Sequence, residues 1–215
     1  MIDFATARRH MVDGQIRTAN VTDLRILAAM AETPRERFLP AAQAGLAYLD
    51  LDAPVGAGRR LLKPMVFARL VQALQVTANS RVLDLGCATG YGAAVLARLA
   101  GRVVALEQEP TLSRFAQETL AGLPHVTVVS GPLAEGWPPC APYDAILLEG
   151  AAEMVPQSLL NQLAEDGRLG CVLGSGPDAK ATLYWRSGKD ISRRTVFDAA
   201  AALLPGFAKP AEFVF

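Results

Sequence analysis

The stretch Arg81-Val82-Leu83-Asp84-Leu85-Gly86-Cys87-Ala88-Thr89-Gly90-Tyr91-Gly92 restricts this chain to very few folds. A short apolar run carries an acid near its end, a turn of small residues follows, and Ala93-Ala94-Val95-Leu96-Ala97 continues as an apolar helix. Strand, tight turn and helix are the opening of a βαβ unit that holds a nucleotide. Gly86 and Gly90 give the backbone the freedom to turn sharply and come close to a ligand. The helix that starts here aims unpaired N–H groups and a partial positive charge at the strand ends.

A second acid fits the first. Arg102-Val103-Val104-Ala105-Leu106-Glu107 is another β-branched run that closes on a carboxylate. Glu107 lies about 20 residues beyond the glycine turn, where an acidic strand tip meets the two hydroxyls of a ribose. A dinucleotide site needs glycines spaced G-x-G-x-x-G, so that a pyrophosphate can rest on the helix N-terminus. Here Ala88 stands at the middle glycine, and Asp84 sets a negative charge in the turn. That pair disfavours a pyrophosphate such as NAD carries and favours a nucleoside bearing positive charge. S-adenosylmethionine, with its ammonium and sulfonium, is the ligand that fits.

The chain reads as one domain, residues 1–215, long enough for a full core. Its 21 Lys and Arg balance 21 Asp and Glu, and the basic pairs Arg8-Arg9, Arg59-Arg60 and Arg193-Arg194 are scattered. They read as solvated surface, which argues against a nucleic-acid partner. Cys87, Cys140 and Cys171 are odd in number and widely spaced, as free thiols in a reducing cytosol are. With no apolar signal region and no bilayer-length run, the expectation is a cytoplasmic protein without a membrane partner. Nothing in the sequence separates monomer from homodimer.

Residues 1–63 read as a mostly helical cap. Helices are expected over about 3–15, with Arg8, Arg9 and His10 on a polar side, and over 24–31, with Leu24, Leu27, Ala28 and Ala31 as the apolar face. A short helix over 41–46 and a loop over 50–63 complete the cap. The core, residues 64–215, opens on a helix at Pro64. It then alternates strands near 81–85, 102–107, 125–130, 143–148 and 167–173 with helices near 91–100, 110–121 and 156–164. Runs at 181–186 and 191–199 form a hairpin across Ser187-Gly188-Lys189-Asp190. The fold class is therefore α/β: a Rossmann-like, mostly parallel sheet with an antiparallel C-terminal edge hairpin and a helical N-terminal cap.

Several further pieces carry a family resemblance. They are Pro34-Arg35-x-x-Phe38-Leu39-Pro40, Ala47-Tyr48-x-Asp50, Val82-Leu83-Asp84-Leu85-Gly86 through Gly90-Tyr91, Gly136-Trp137-Pro138, Ala141-Pro142-Tyr143-Asp144-Ala145-Ile146 and Gln162-Leu163-Ala164-Glu165-Asp166-Gly167-Arg168-Leu169. Through them the chain resembles the protein-L-isoaspartate O-methyltransferases, class I enzymes dependent on S-adenosylmethionine, over nearly its whole length. The resemblance implies methyl transfer to the free α-carboxylate of an isoaspartyl residue in damaged proteins. The ester then collapses to a succinimide, and the linkage can be repaired. It implies a cofactor site of Asp84, Gly86, Cys87, Thr89, Gly90, Glu107 and Gln108, with Pro132 and Leu133 beside the adenine and Glu149 at the fourth strand's end.

The departures from the family pattern lie at the chemistry. The family reads Thr-Ile-Ser-x-Pro where this chain has Arg60-Leu61-Leu62-Lys63-Pro64, so Leu62 takes the place of the serine beside the transferred methyl. The family's Gly-Asp-Gly is Gly131-Pro132-Leu133. A carboxylate acceptor is already ionised at pH 7, so the reaction needs alignment and desolvation and no general base. At a leucine wall that carboxylate loses water without regaining a partner, a cost of about 1–3 kcal/mol. Transfer to a standard isoaspartyl peptide is thus expected to be poor or absent. Two alternatives stay open: a related methyltransferase with another, small or modified acceptor, and a cofactor-binding protein without catalysis.

The remaining polar and aromatic residues have plainer readings. His10 and His125 read as structural, with no second ligand spaced for a metal. Cys87 reads as a small packing residue, Tyr91 as a wall of the cofactor site and Trp137 as a loop buttress. Glu149 reads either as a ligand contact or as a solvated loop acid.

Overall fold

The computed structural model describes residues 2–210. Five strands of the main sheet are parallel: β3 (Arg81–Leu85), β4 (Arg102–Glu107), β5 (Val126–Ser130), β6 (Tyr143–Ala152) and β7 (Leu163–Leu173). The antiparallel β8 (Lys180–Ser187) and β9 (Asp190–Asp198) continue the same sheet, in the order β5-β4-β3-β6-β7-β8-β9. The chain runs outward from β3 through β4 to β5, then returns to β6 on the other side of β3. That reversal opens a crevice at the carboxyl ends of β3 and β6, the place where open α/β sheets bind ligands.

Strand alternation decides what faces the crevice. Leu83, Leu85, Val104, Leu106, Ile146 and Leu148 pack on one side of the sheet with Leu204 and Phe207. Val82, Val103, Ala105, Ala145 and Leu147 pack on the other, against the helices and cap. With a period of two, Asp84, Glu107 and Glu149 all fall on this second face. That face is covered by α3 (Pro64–Leu74) and α4 (Tyr91–Leu96). Pro64 occupies the first turn of α3, and Val66, Phe67, Leu70, Val71 and Leu74 form its buried stripe. On the β4 side lies α5 (Pro110–Leu120), capped by the Glu109 side chain at Thr111.

Four local expectations are corrected. The apolar face of α2 (Leu24–Glu32) is Ile26, Leu27, Ala29 and Met30. Leu24 is 71% exposed, because it is the first helical residue after the Asp23 cap and points away from that face. The helix expected over 156–164 is only α6 (Gln157–Leu160). The Gln162 carbonyl accepts from the Tyr143 N–H at 2.8 Å and draws the chain into the sheet, so β7 starts at Leu163. The regular helix after the glycine turn ends at Leu96, short of residue 100. The loop expected over 50–63 contains a hairpin, β1 (Ala53–Gly56) and β2 (Arg59–Leu61), which among the described residues pairs only with itself. The first helix, α1 (Phe4–Met11), runs on through a π-helical turn to Ile16.

Candidate active site

The three acids on the crevice face are all buried. Asp84 comes from the middle of β3 and pairs in register with Leu147, which sets Glu149 one pleat further along β6. The Asp84 and Glu149 carboxyls meet at the N-terminus of α4. Glu149 Oε1 lies so close to Gly92 that a Cβ there would stand 1.6 Å from it. Neither Asp84 oxygen, nor Glu149 Oε1, receives an N–H or O–H donor of good geometry among the described residues. Two buried carboxyls so placed disfavour each other's ionisation. Burial, then the Glu149 charge beside it, lifts Asp84 well above the usual carboxylate range. Burial lifts Glu149 to about 7, against the opposing pull of the Arg35 and Arg59 guanidiniums.

Glu107, at the tip of β4, is fully satisfied. Its Oε1 accepts from the Gln108 and Glu109 N–H groups at 3.0 and 3.1 Å, and its Oε2 from the Ala88 N–H at 2.8 Å. Arg59 Nη1 donates to both oxygens at 2.8 Å, and Arg59 Nη2 donates to the Gly86 carbonyl at 2.7 Å. This buried ion pair overturns the reading of Arg59 as solvated surface; Arg60, the next residue, is exposed. The hairpin explains the split. The Gly56-Ala57-Gly58 turn, all at positive φ, reverses the chain, and alternation along β2 sends Arg59 and Leu61 inward and Arg60 out.

The glycine turn itself is tightly packed. Gly86 has φ +76° and Gly90 φ +94°, and an added Cβ would stand 2.8 Å from Arg59 Nη2 at the first and 2.8 Å from Leu120 Cδ1 at the second. Ala88 holds a left-handed φ of 50°, which presents its N–H to Glu107. Cys87 is buried, and burial together with the Asp84, Glu107 and Glu149 charges pushes its thiol well above its usual value, so it stays protonated. Thr89 does not offer its hydroxyl to the crevice. It donates to the Phe38 carbonyl at 2.6 Å and ties the cap to the turn.

On the β4 side, the Gln108 side chain accepts from the Leu133 N–H at 3.4 Å. Leu133 is buried over Gly86, while Pro132 is exposed at the rim. Trp137 packs against Gly131 and holds that loop. The His125 ring bonds the Ala97 carbonyl at 2.7 Å, and His10 is exposed.

The cap supplies a residue that entered the sequence reading only as a motif letter. Arg35, 1% exposed, donates from Nη2 to the Leu62 carbonyl at 2.8 Å and lies over the Tyr91 ring at 4.5 Å. Phe38 and Phe67 close the other sides of Tyr91. Leu62 is therefore fixed by its backbone, with its apolar side chain buried. It shares with Arg59, Glu149, Asp52, Gly150 and Leu204 a cavity of about 10 Å³ at the crevice mouth, room for at most one water.

Chemically, the site gathers three carboxyls against two guanidiniums, with acceptor oxygens left without donors. Such an arrangement suits a ligand that brings N–H or O–H donors and positive charge. Among the described residues no group of His, Cys, Asp or Glu is arranged to hold a metal ion.

Residues 6–196 match the family model described as protein-L-isoaspartate(D-aspartate) O-methyltransferase. A protein-L-isoaspartate O-methyltransferase 1 of Rhodopseudomonas palustris is 42% identical over 179 residues, 82% of this chain and 73% of that one. Its counterpart from Gloeobacter violaceus is 38% identical over 190 residues, 87% of this chain and 93% of that one. A solved structure of a protein-L-isoaspartate O-methyltransferase superposes with a TM-score of 0.79 at 24% identity, over 93% of this chain and 66% of that one, so this chain spans just under two thirds of its length. A Plasmodium falciparum structure, titled as a putative enzyme of the same name in complex with S-adenosyl-L-homocysteine, gives 0.76 at 18% identity over 92% and 97%. These two show the shared fold.

Proposed function

Because this chain belongs to the protein-L-isoaspartate O-methyltransferase family, we propose that it transfers the methyl group of S-adenosylmethionine to the carboxylate of isoaspartyl residues in proteins and peptides. The observation that carries the cofactor reading is the buried trio Asp84, Glu107 and Glu149 around the Gly86–Gly90 turn, with both Asp84 oxygens and Glu149 Oε1 lacking donors among the described residues. Asp84 and Glu149 would receive the cationic methionine end, and Glu107 the ribose hydroxyls. Gln108, Pro132 and Leu133 would flank the base. The bound cofactor supplies an electrophilic methyl on a sulfonium.

The chain's own residues do the rest. The acids orient the cofactor, the Arg35-held Leu62 backbone fixes one wall of the acceptor pocket, and the cap excludes water. Residues 1–63 act as the cap of a single unit whose core is 64–215. The three cysteines are all free, which supports work in a reducing cytosol. Balanced charge supports peptides over nucleic acid as partners, and no helix among the described residues is long and apolar enough to cross a membrane.

Thermal-shift titration tests the cofactor. S-adenosylmethionine and S-adenosylhomocysteine at 100 times their dissociation constants should stabilise the chain by about 2.7 kcal/mol, while NAD at equal concentration gives no shift. Stabilisation by NAD alone would reverse the assignment.

Leu62 makes a separate prediction. A serine there offers the acceptor carboxylate a donor, and Leu62→Ser should raise kcat/KM for an isoaspartyl peptide by about tenfold, within the 1–3 kcal/mol that one recovered hydrogen bond contributes. The comparison is of initial rates, mutant against wild type, on that peptide and on its aspartyl isomer. Fast wild-type transfer with no gain from serine would mean that the acceptor carboxylate is already fully held without that donor and that the leucine is no handicap.

A further inference from the structure

The β1–β2 hairpin sets a guanidinium where the cofactor reading needs a sugar. Arg59 Nη1 holds both oxygens of Glu107 and Nη2 holds the Gly86 carbonyl. The other donors to Glu107 are fixed backbone N–H groups. A ribose diol can reach this carboxylate only when Arg59 leaves it. We infer that Arg59 serves two carboxylates in turn: it is stored on Glu107 until the cofactor's ribose takes that side chain, and the released guanidinium then binds the acceptor's carboxylate at the crevice mouth. The inference rests on the function proposed above and names a group that offsets part of the missing hydroxyl at Leu62; a serine there would add a further donor to the same carboxylate.

Four observations support the exchange. Arg59 and Leu62 line the same small cavity, so a long side chain freed from Glu107 need move only within that wall to face the acceptor. Arg35 is fixed between the Leu62 carbonyl and the Tyr91 ring, and Arg60, which also lines the cavity, is turned outward and donates to the Asp52 carbonyl at 3.3 Å, so neither is stored on Glu107 as Arg59 is. Arginine's planar fork matches a carboxylate with two parallel bonds, which an apolar leucine wall cannot offer. Finally, among the described residues the hairpin pairs with no strand of the main sheet and its Gly56-Ala57-Gly58 turn is exposed, so Arg59 is carried outside the central hydrogen-bonded ladder even though Ala53, Val55 and Leu61 anchor the hairpin in the core.

Storage on Glu107 lowers apparent cofactor affinity by the fraction of molecules in which Arg59 is released. It also makes binding ordered, cofactor before acceptor. The test titrates S-adenosylhomocysteine by calorimetry into wild type, Arg59→Gln and Arg59→Lys, and measures KM for an isoaspartyl peptide at saturating S-adenosylmethionine. Arg59→Gln removes both the competitor and the acceptor clamp. Its dissociation constant for S-adenosylhomocysteine should fall about tenfold, while the peptide KM rises about tenfold and kcat changes less. Arg59→Lys keeps a cation in the acid cluster but cannot bridge Glu107 and Gly86, and should lie between the two on both measures. It also gives a folded variant if glutamine leaves Glu107 too poorly matched.

Cofactor binding and turnover by the wild type, with unchanged or weaker S-adenosylhomocysteine binding in both variants, overturns this inference alone. So does tighter binding with an unchanged peptide KM, because Arg59 would then have no acceptor role. No binding by any of the three proteins removes the cofactor reading and this inference together.

Discussion

Replacing Glu107 with alanine should destabilise the fold by about 3–5 kcal/mol, the usual cost of removing one partner from a buried ion pair. The reason is the company Glu107 keeps. Arg59 would remain buried with one fewer anion to balance it, and the Ala88, Gln108 and Glu109 N–H groups would lose their acceptor. The strand-to-turn connection, which holds Ala88 in a left-handed conformation through one of those bonds, would lose its anchor. Cofactor binding would weaken as well, by about 1.5–3 kcal/mol for the lost charged bonds to ribose. Urea denaturation reads the first effect as a lower midpoint at constant slope, and calorimetry the second. A loss of stability under about 1 kcal/mol would mean that the pair contributes little and that Arg59 finds other partners.

The second large effect is a dependence of stability on pH. Burial raises Glu149 from the ordinary 4.5 to about 7, and Asp84 beside it is raised well above its own usual value. A carboxyl whose folded pKa exceeds its unfolded one binds more protons when folded. Its contribution is present in full below the unfolded value and is lost as pH rises through the folded one. Stability of the ligand-free chain should thus fall between about pH 4.5 and 7 by on the order of 3 kcal/mol, since each tenfold difference in proton affinity between the folded and unfolded chain is worth about 1.4 kcal/mol. Glu149→Gln keeps the shape and removes the Glu149 part of the titration, leaving an Asp84 that burial still raises. It should reduce that slope and leave the variant more stable than wild type at pH 8. A wild-type curve that is flat from pH 5 to 8 would show that the Asp84–Glu149 pair ionises freely and is not desolvated as described.

The sheet and its ligand edge were readable because their signals are local. The apolar runs ending at Glu107 and passing through Asp84 fix two strands and the tight turn, and the period of two along them puts both acids on one face. Glu149 was readable as a position and not as a role. Whether an acid at a strand end is solvated or buried depends on Gly92, which comes from another element and leaves room for it. Arg59 was missed for a similar reason. A pair of arginines in a Gly- and Pro-rich stretch looks like surface until Gly56 and Gly58 are taken as a hairpin turn, after which alternation alone sends Arg59 in and Arg60 out. The α6 boundary depended on the long-range bond from Tyr143 to the Gln162 carbonyl, which no local periodicity carries. Leu24 shares the spacing of the buried stripe, but as a first-turn residue it does not join it.

The proposed activity is tested most directly by incubating the purified chain with S-adenosylmethionine labelled in the methyl group, together with an isoaspartyl peptide and, separately, its aspartyl isomer. The expected result is slow, base-labile label on the isoaspartyl peptide and none on the isomer, with S-adenosylhomocysteine formed in equal amount. Tight S-adenosylhomocysteine binding with no label on either peptide would contradict the proposed activity, and would leave a cofactor-binding chain whose leucine-walled pocket takes a different acceptor or none.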